Sequence, residues 1–211
     1  MKLYSHPRSG TNWLLALLEQ AFFGNIGFTE ATTGHWSQRV TVSAPPAELF
    51  GGHDFFAPHL VEPRIYLYRD GRDVALSLWR TKAFQPQDWH NLSLSEFLRR
   101  PLDWQGTPGR RADTGWTVPE HWRQHLDSWQ NAGRTHFVRY EALLIDTESE
   151  LARLGEALGH APDLSTLDVG DVGPFPSDDH RIGKWREAFA GDDLDYFLGI
   201  VPQDCWGLWG D

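Results

Sequence analysis

The chain begins with the pattern of a strand, a glycine-containing turn and a helix, and this pattern occurs a second time. A predicted strand over Lys2–Ser5 precedes a turn with Pro7 and Gly10, after which apolar residues recur every three or four positions. The run Arg64–Tyr68 and the helical pattern Asp73–Thr81 repeat the layout. Because parallel strands need a crossover that is usually helical, two such units predict an α/β fold, with a central parallel sheet and helices on both faces in three layers.

The same alternation continues in the second half of the chain. We predict a helix over 120–132 and a strand over 135–140. A further helix is predicted to begin at a capping box of Thr147 and Glu150 and to end at Gly159.

The segment over residues 84–120 departs from this alternation. It is rich in Pro, Gly, Trp and Arg, and only 94–100 has the pattern of a short helix. Long excursions inside a compact domain are usually functional lids or disordered insertions, and the Trp and Arg residues here favour an ordered lid. The last predicted element is an acidic helix over 192–199. The length of the chain is typical of one domain, so we predict a single domain over 1–211.

Composition excludes several classes of protein. The 211 residues include 19 Lys+Arg against 29 Asp+Glu, a net charge of −10, which argues against a general binder of nucleic acid or anionic membranes. The single cysteine, Cys205, rules out an intramolecular disulfide scaffold and a multi-cysteine zinc module. No apolar run is long enough to span a membrane, and the N-terminus lacks the pattern of a signal peptide. We therefore expect a cytoplasmic protein without nucleic-acid or membrane partners. The sequence does not determine its oligomeric state.

The first turn, S-H-P-R-S-G-T-N-W over Ser5–Trp13, has the features of an anion-binding loop. A turn between a strand and a helix directs several backbone N–H groups and the positive end of the helix dipole to one place, which suits phosphate or sulfate. Arg8 adds a positive charge. The loop is not a Walker motif, because it lacks the lysine of G-x-x-x-x-G-K-[ST]. A simple structural turn is the alternative.

The second turn places Arg69 at the end of a predicted strand and Ser77 eight residues later, in the early part of a helix. Both can converge on an anion beyond the carboxyl edge of the sheet. The alternatives are an ion pair of Arg69 with Asp70 or Asp73, and an ordinary hydroxyl on the helix surface. A third basic element, H-R-I-G-K-W-R over His180–Arg186, is either a ligand-binding segment or a solvated patch.

Taken together, these motifs resemble those of the sulfotransferases that use 3'-phosphoadenosine 5'-phosphosulfate (PAPS). The family patterns P-[KR]-S-G-T-[TN]-W and R-[DN]-x-[KR]-D-x-x-x-S are met at Pro7–Trp13 and Arg69–Ser77, and R-x-G with a nearby W-[KR] is met at Arg181–Arg186. The stretches Val118–Trp129 and His136–Leu143 are also similar. The resemblance covers most of residues 2–190 in the family's order.

The resemblance implies a P-loop nucleotide fold, PAPS as the donor, 3'-phosphoadenosine 5'-phosphate (PAP) as the product and no required metal. The sulfuryl group would pass in line to a hydroxyl, or alternatively an amine, of a small acceptor. The residues carried over are Arg8, Ser9, Gly10, Thr11 and Asn12 at the 5' end, Arg69, Ser77, Arg181 and Gly183 at the 3'-phosphate, and Trp13 and Tyr140 flanking the adenine.

The resemblance also implies a histidine general base in a K-T-H-like segment. G-G-H-D over Gly51–Asp54 stands at that place, and His53 is the candidate because its near-neutral pKa range suits a base at physiological pH. His59 and Asp54 are the alternatives. Gly51 replaces the family's lysine, so Arg8 is expected to carry more of the charge stabilisation.

Two other functions remain open from the sequence: a magnesium-dependent small-molecule kinase of the same fold, and a binding protein that has lost turnover. The Trp-rich stretch 84–129 is expected to form the acceptor pocket, with a dimer surface as the alternative role. It favours an acceptor with an aromatic or apolar body, with a carbohydrate as the alternative. His121 and His125 have i, i+4 spacing, but the glutamate of H-E-x-x-H is missing, so a metal site is not expected.

Overall fold

The computed structural model describes residues 2–23, 50–60, 63–81, 85–102, 115–165, 167–169 and 181–202. In chain order, the elements are β1 (Lys2–Ser5), α1 (Thr11–Phe23), β2 (Phe50–Gly52), β3 (Arg64–Tyr68), α2 (Gly71–Thr81), a 3-10 helix (Gln87–Asn91), α3 (Leu94–Arg99), α4 (Val118–Gln130), β4 (Thr135–Arg139), α5 (Tyr140–Ile145), α6 (Thr147–Leu158), a second 3-10 helix (Lys184–Glu187) and α7 (Gly191–Ile200).

These elements form two compact units that are interleaved along the sequence. The first unit contains all four strands with α1, α5 and α6, and the second contains α2, α3, α4 and α7 with both 3-10 helices. The separate description of the two units does not test whether they form one domain, so the single domain over 1–211 stays a prediction.

A four-stranded sheet in the order β2-β1-β3-β4 forms the centre of the first unit. All its strand pairs are parallel, with Leu3 opposite Ile65 and Leu67 opposite Val138. The α/β class, with a parallel sheet flanked by helices, is therefore confirmed. β2 was not predicted, because its sequence F-G-G has no alternating pattern.

The core of the first unit forms where α1, α5 and α6 pack against β1, β3 and β4. The Leu3, Ile65, Leu67 and Val138 side chains are fully buried there with Leu14, Leu17, Leu18, Leu143 and Leu151.

One detail of the α6 prediction is wrong. The N-cap is Asp146, whose carboxylate accepts the Ser149 N–H, and Thr147 instead donates its hydroxyl to the Leu143 carbonyl. The preceding short helix α5 ends directly before Asp146, so the chain turns one residue earlier than expected. Gly159 does end α6, with a φ of 72°.

Helices and large aromatic side chains build the second unit. Trp122, Trp129, Phe97 and Phe197 are almost completely buried. α2 starts at Gly71, two residues before the predicted start, and the Asp70 carboxylate directly before it accepts the Arg72 N–H. The helix packs closely at its start, since a Cβ at Gly71 would lie 2.8 Å from Trp122 and 2.9 Å from Phe197.

The predicted lid over 84–120 is only partly covered by the structure. Residues 84 and 103–114 lie outside the described residues, as do Cys205 and His180. The described part contains α3 and a 3-10 helix, and Phe97 and Trp89 are buried with ring centroids 6.3 Å apart. α4 begins at Val118 behind a capping box of Thr117 and Glu120, two residues earlier than predicted. The role of this segment as a lid stays a prediction.

None of the described helices is long and apolar enough to cross a membrane.

Candidate functional site

The loop between β1 and α1 has an unusual backbone. Arg8 has a φ of 71° and Gly10 a φ of 97°, so two nearby residues adopt the left-handed conformation. Such conformations turn successive N–H groups to one side of a loop and make anion-binding concavities. For Arg8, which is not a glycine, the conformation costs on the order of 1–3 kcal/mol and is typical of functional loops. The loop also leads into the N-terminus of the 13-residue helix α1, where the helix dipole favours an anion.

Tyr140 fixes the shape of this loop from the outside. A Cβ at position 10 would lie 2.5 Å from the Tyr140 ring, so only glycine fits there. The Tyr140 ring also meets the Trp13 ring edge to face, with centroids 5.6 Å apart, and both side chains are buried. The two rings therefore contact each other, and their position beside an adenine stays a prediction.

Several polar atoms of the loop are buried without an internal hydrogen bond. Across the described part of the chain, the Ser9 hydroxyl and the Asn12 Oδ1 find no partner, and Ser9 is completely buried. By contrast, the Thr11 hydroxyl lies 2.6 Å from that of Ser5. Buried polar atoms are nearly always hydrogen-bonded, so such atoms beside a concave loop indicate a place where a polar ligand completes the bonding.

His53 lies beside this loop, directly after β2. Its Nδ1 is 2.7 Å from the Ser5 carbonyl oxygen and 3.3 Å from the Ser5 hydroxyl. A carbonyl can only accept, so Nδ1 carries the proton and donates it, and in the neutral ring the lone pair is on Nε2. The His53 side chain is buried, whereas that of His59 is exposed. Of the predicted bases, His53 is therefore the one that the first unit holds in an oriented, defined tautomer.

The second unit contains the other predicted anion-binding motif. Arg69 follows β3 and is 9% exposed, and its Nη2 lies 4.0 Å from Oδ2 of the buried Asp73. The ion pair expected as the alternative role for Arg69 is thus present, with Asp73 as the partner. Ser77, which is half-buried, lies one helical turn after Asp73 on α2.

Asp73 also holds the third motif. One carboxylate oxygen accepts the Gly183 N–H at 2.8 Å, and the other accepts the Trp185 N–H at 3.0 Å. Burial raises the pKa of Asp73 above its ordinary value, while the Arg69 charge and these two N–H groups act in the opposite direction. No sequence pattern predicts these contacts, which join residues more than a hundred positions apart.

A second buried ion pair supports the same segment. The Arg72 guanidinium binds the Asp70 carboxylate through Nε and Nη2, with the shortest distance 2.7 Å. Its carbon Cζ lies 3.8 Å from the centroid of the Trp185 ring, a cation–π geometry. Asp70 thus forms an ion pair with Arg72, a partner that the sequence analysis did not consider for it.

The two remaining residues of the third motif have structural contacts. Arg181 is exposed and forms an ion pair of 3.0 Å with Glu187. Gly183 has a φ of 76°, and the Arg186 guanidinium packs so closely that any Cβ would overlap it. The Gly183 N–H is donated to Asp73, so in this arrangement the glycine attaches the segment to α2. Its contact with the 3'-phosphate stays a prediction.

An aromatic cluster in the second unit surrounds the two histidines of α4. Phe55 contacts the rings of Trp116, His121 and His125, at centroid distances of 5.9, 5.2 and 4.9 Å. The two imidazoles stack on each other at 6.3 Å, and both are buried. Within the described residues, no cluster of three or more metal-ligating side chains occurs.

A comparison with models of protein families shows the family of this chain. A sequence model of the sulfotransferase domain matches residues 58–168, just over half of the chain. The chain belongs to the sulfotransferase family. The matched region includes the second motif, Arg69–Ser77, and Tyr140, whereas the first motif and the third lie outside it.

Solved structures show the same fold for this sulfotransferase. Mouse sulfotransferase SULT7A1 complexed with PAP is 18% identical, with a TM-score of 0.60, and the match covers 96% of this chain and 83% of that one. Retinol dehydratase with androsterone and inactive cofactor PAP is 15% identical, with a TM-score of 0.60 and coverage of 97% and 80%. Retinol dehydratase with retinol and PAP is 14% identical, with a TM-score of 0.58 and the same coverage. No curated protein sequence matches the chain.

Proposed function

We propose that this sulfotransferase transfers a sulfuryl group from PAPS to a hydroxyl of a small-molecule acceptor, with His53 as the general base. One observation carries the proposal: the buried His53, with its lone pair on Nε2, stands beside a strained loop whose Ser9 hydroxyl has no partner among the described residues. A base and an anion-binding loop next to each other are the two elements that sulfuryl transfer needs.

In the proposal, the first motif holds the 5' end of the donor. Arg8 and the backbone N–H groups of Ser9–Asn12 stabilise the negative charge that develops on the leaving phosphate. These donors are fixed in place before the reaction, because the left-handed residues and Tyr140 determine the loop conformation. Since arginine and backbone dipoles supply the positive charge, the proposed reaction does not require a metal.

The second motif is assigned to the 3'-phosphate of the donor. Arg69 supplies a buried guanidinium and Ser77 a hydroxyl one turn further along than Asp73. Arg181 adds an exposed positive charge, and a phosphate would replace Glu187 as its ion-pair partner. Charge-assisted hydrogen bonds of this kind are stronger than neutral ones, so they favour a 3'-phosphorylated nucleotide over ADP or ATP.

His53 moves the proton. The acceptor oxygen forms a bond to sulfur as the bond from sulfur to the 5'-phosphate oxygen breaks, and the acceptor proton passes to Nε2 of His53. The hydrogen bond from Nδ1 to the Ser5 carbonyl keeps the ring in the tautomer that can accept it, and stabilises the imidazolium that forms.

We propose that the acceptor has an aromatic or apolar body. Retinol and androsterone, named with the two retinol dehydratase structures, are molecules of this type that carry one hydroxyl. In this chain, Phe55 and Trp116 are half-buried and in mutual ring contact, and Phe55 lies two positions after His53, which suits the pair to an apolar wall. An amine remains the alternative acceptor group and a carbohydrate the alternative body. A cytoplasmic location is part of the same proposal.

Binding of the donor product tests the first half of the proposal. PAP is expected to bind in the presence of a metal chelator, and ADP with magnesium is expected to bind far more weakly, as measured by calorimetric titration. Tight binding of ADP with magnesium alone would support the kinase alternative and overturn the donor assignment.

Replacement of the base tests the second half. His53→Gln should lower the rate of transfer from labelled PAPS to hydroxylated aromatic acceptors by about 10² to 10⁴-fold, with unchanged PAP affinity. The matched control is His59→Gln, at the exposed histidine six residues later, which should keep the wild-type rate. If His59→Gln is the slower variant, the base assignment is wrong. Tight PAP binding without turnover in any variant would support the binding-protein alternative.

A further inference from the structure

A single carboxylate in the second unit contacts two of the three motifs. Asp73 is 2% exposed and lies in the first turn of α2. Both of its oxygens are used: Oδ2 accepts the Gly183 N–H and lies 4.0 Å from Arg69 Nη2, and Oδ1 accepts the Trp185 N–H. The same side chain therefore touches the arginine assigned to the 3'-phosphate and the backbone of the basic segment that contains Arg181.

A carboxylate so close to a phosphate-binding arginine needs an explanation, because it repels the ligand. Burying it also costs free energy unless its charge is compensated. Here the compensation comes from two backbone N–H groups and a guanidinium. Because both N–H groups belong to the segment 181–189, the same bonds that compensate the buried charge also attach that segment to α2.

The segment 181–189 depends on this attachment. Its regular structure is only the short 3-10 helix Lys184–Glu187, and its positive φ at Gly183 fits the turn that brings two N–H groups to one carboxylate. The Trp185 ring then covers the Arg72 guanidinium at 3.8 Å. Both contacts start from the first turn of α2, so this turn is what fixes the position of the segment within the second unit.

We propose that Asp73 is a positioning residue: it ties the basic segment 181–189 to α2 and so assembles the 3'-phosphate pocket before the donor arrives. This inference rests on the proposed function, since it assigns the 3'-phosphate of PAPS to Arg69. Preassembly strengthens binding because the segment is already ordered in the free protein, so donor binding does not include the free-energy cost of ordering it. Asp73 thereby sets the preference of the protein for 3'-phosphorylated nucleotides without contacting them.

The test compares two nucleotides that differ in one group, PAP and 5'-AMP. Asp73→Ala should weaken PAP binding by about 30-fold, because it loses both bonds to the segment, and should leave the affinity for 5'-AMP within about twofold. Asp73→Asn keeps one carbonyl acceptor of the same size and should lose about half of that effect on a logarithmic scale. The ratio of the two affinities therefore falls in a graded way.

Hydrogen exchange supplies a second readout that needs no ligand. Asp73→Asn leaves one of the two N–H groups without an acceptor, so the Gly183 or the Trp185 amide should exchange faster than in the wild type. The matched control is Asp193→Asn, which removes another buried carboxylate of the second unit, paired with Arg99 at 2.6 Å. It should leave the nucleotide ratio and the exchange of both amides unchanged.

The outcomes separate the two proposals. If wild-type protein binds PAP no better than 5'-AMP, the donor assignment itself is overturned, and the positioning role with it. If the wild type prefers PAP and Asp73→Asn keeps the full preference, only the positioning role is overturned. An equal loss of affinity for both nucleotides would likewise contradict it, because that result indicates a general structural role.

Discussion

The two regions that we propose to bind anions, one in each unit, are built in different ways. The loop of the first unit relies on backbone conformation: left-handed residues at positions 8 and 10, a glycine pressed against Tyr140, and hydroxyls. The region in the second unit relies on buried charges, with Arg69 beside Asp73 and Arg72 bound to Asp70. Backbone amides can meet a phosphosulfate without any side chain, whereas a lone phosphate at a helix side needs cations. We therefore expect the first region to be sensitive to shape and the second to charge.

The largest expected effect comes from a change of shape in the first region. Gly10→Ala should lower the free energy of unfolding by about 3 kcal/mol, because a Cβ meets the Tyr140 ring and the φ of 97° disfavours an L residue. Chemical denaturation measures it. The control Gly133→Ala places a Cβ in open space and should change stability by less than about 0.5 kcal/mol. Equal stability of both variants would refute the packing argument.

A smaller effect is expected when charge is removed from the second region. Arg69→Ala should weaken PAP binding by about 100-fold, since a buried charge-assisted contact to the 3'-phosphate is lost, and should leave 5'-AMP binding unchanged. Calorimetric titration of both nucleotides measures this. Arg80→Ala, at the exposed end of α2, is the control and should behave as wild type. Loss of 5'-AMP affinity in Arg69→Ala would contradict the division between the two regions.

The smallest expected effect concerns buried carboxyl groups, one in each unit. Asp73 has two N–H donors and an arginine near its charge, whereas for Glu19 in α1 burial alone raises the pKa, from 4.5 to about 7. Between these two values only the folded state keeps the Glu19 proton, so the free energy of unfolding falls as the pH rises through this window and levels off above it.

Removal of the charge should remove this dependence. Relative to wild type, Glu19→Gln should gain about 2 kcal/mol of stability between pH 4.5 and pH 8. Urea unfolding at both pH values measures the gain. Glu148→Gln, at an exposed residue of α6, is the control and should keep the wild-type profile. A Glu19→Gln profile parallel to that of wild type would show that the carboxyl is ionised in the folded protein at neutral pH.

The sequence predicted what depends on local pattern. The first two strand–turn–helix units, the bounds of β1 and β3 and the C-cap of α6 follow from apolar periodicity and glycine positions, and all are present. β2 and α5 were missed because each is too short to show a period. The cap of α6 at Asp146 was misplaced by one residue because Thr147 has the same capping chemistry.

The same distinction between local pattern and long-range contact applies to the candidate site. The motif residues could be found because their types and spacing lie within a few positions of one another. The tautomer of His53 depends on the Ser5 carbonyl, 48 positions away, and the attachment of Gly183 depends on Asp73, 110 positions away. Contacts of this kind leave no periodic signal, so only the folded structure shows them. The same holds for the Trp13–Tyr140 ring contact, which joins residues 127 positions apart.

The most direct test of the account is hydrogen exchange measured with PAP and with 5'-AMP, each at saturation. Two segments are compared: 6–14, which contains the loop of the first unit, and 181–189, which Asp73 attaches to α2. The account predicts that PAP slows exchange in both segments and that 5'-AMP slows it only in 6–14. Equal protection of 181–189 by both nucleotides, or no protection of 6–14 by either, would contradict the assignment of the two ends of the donor to two separately built regions.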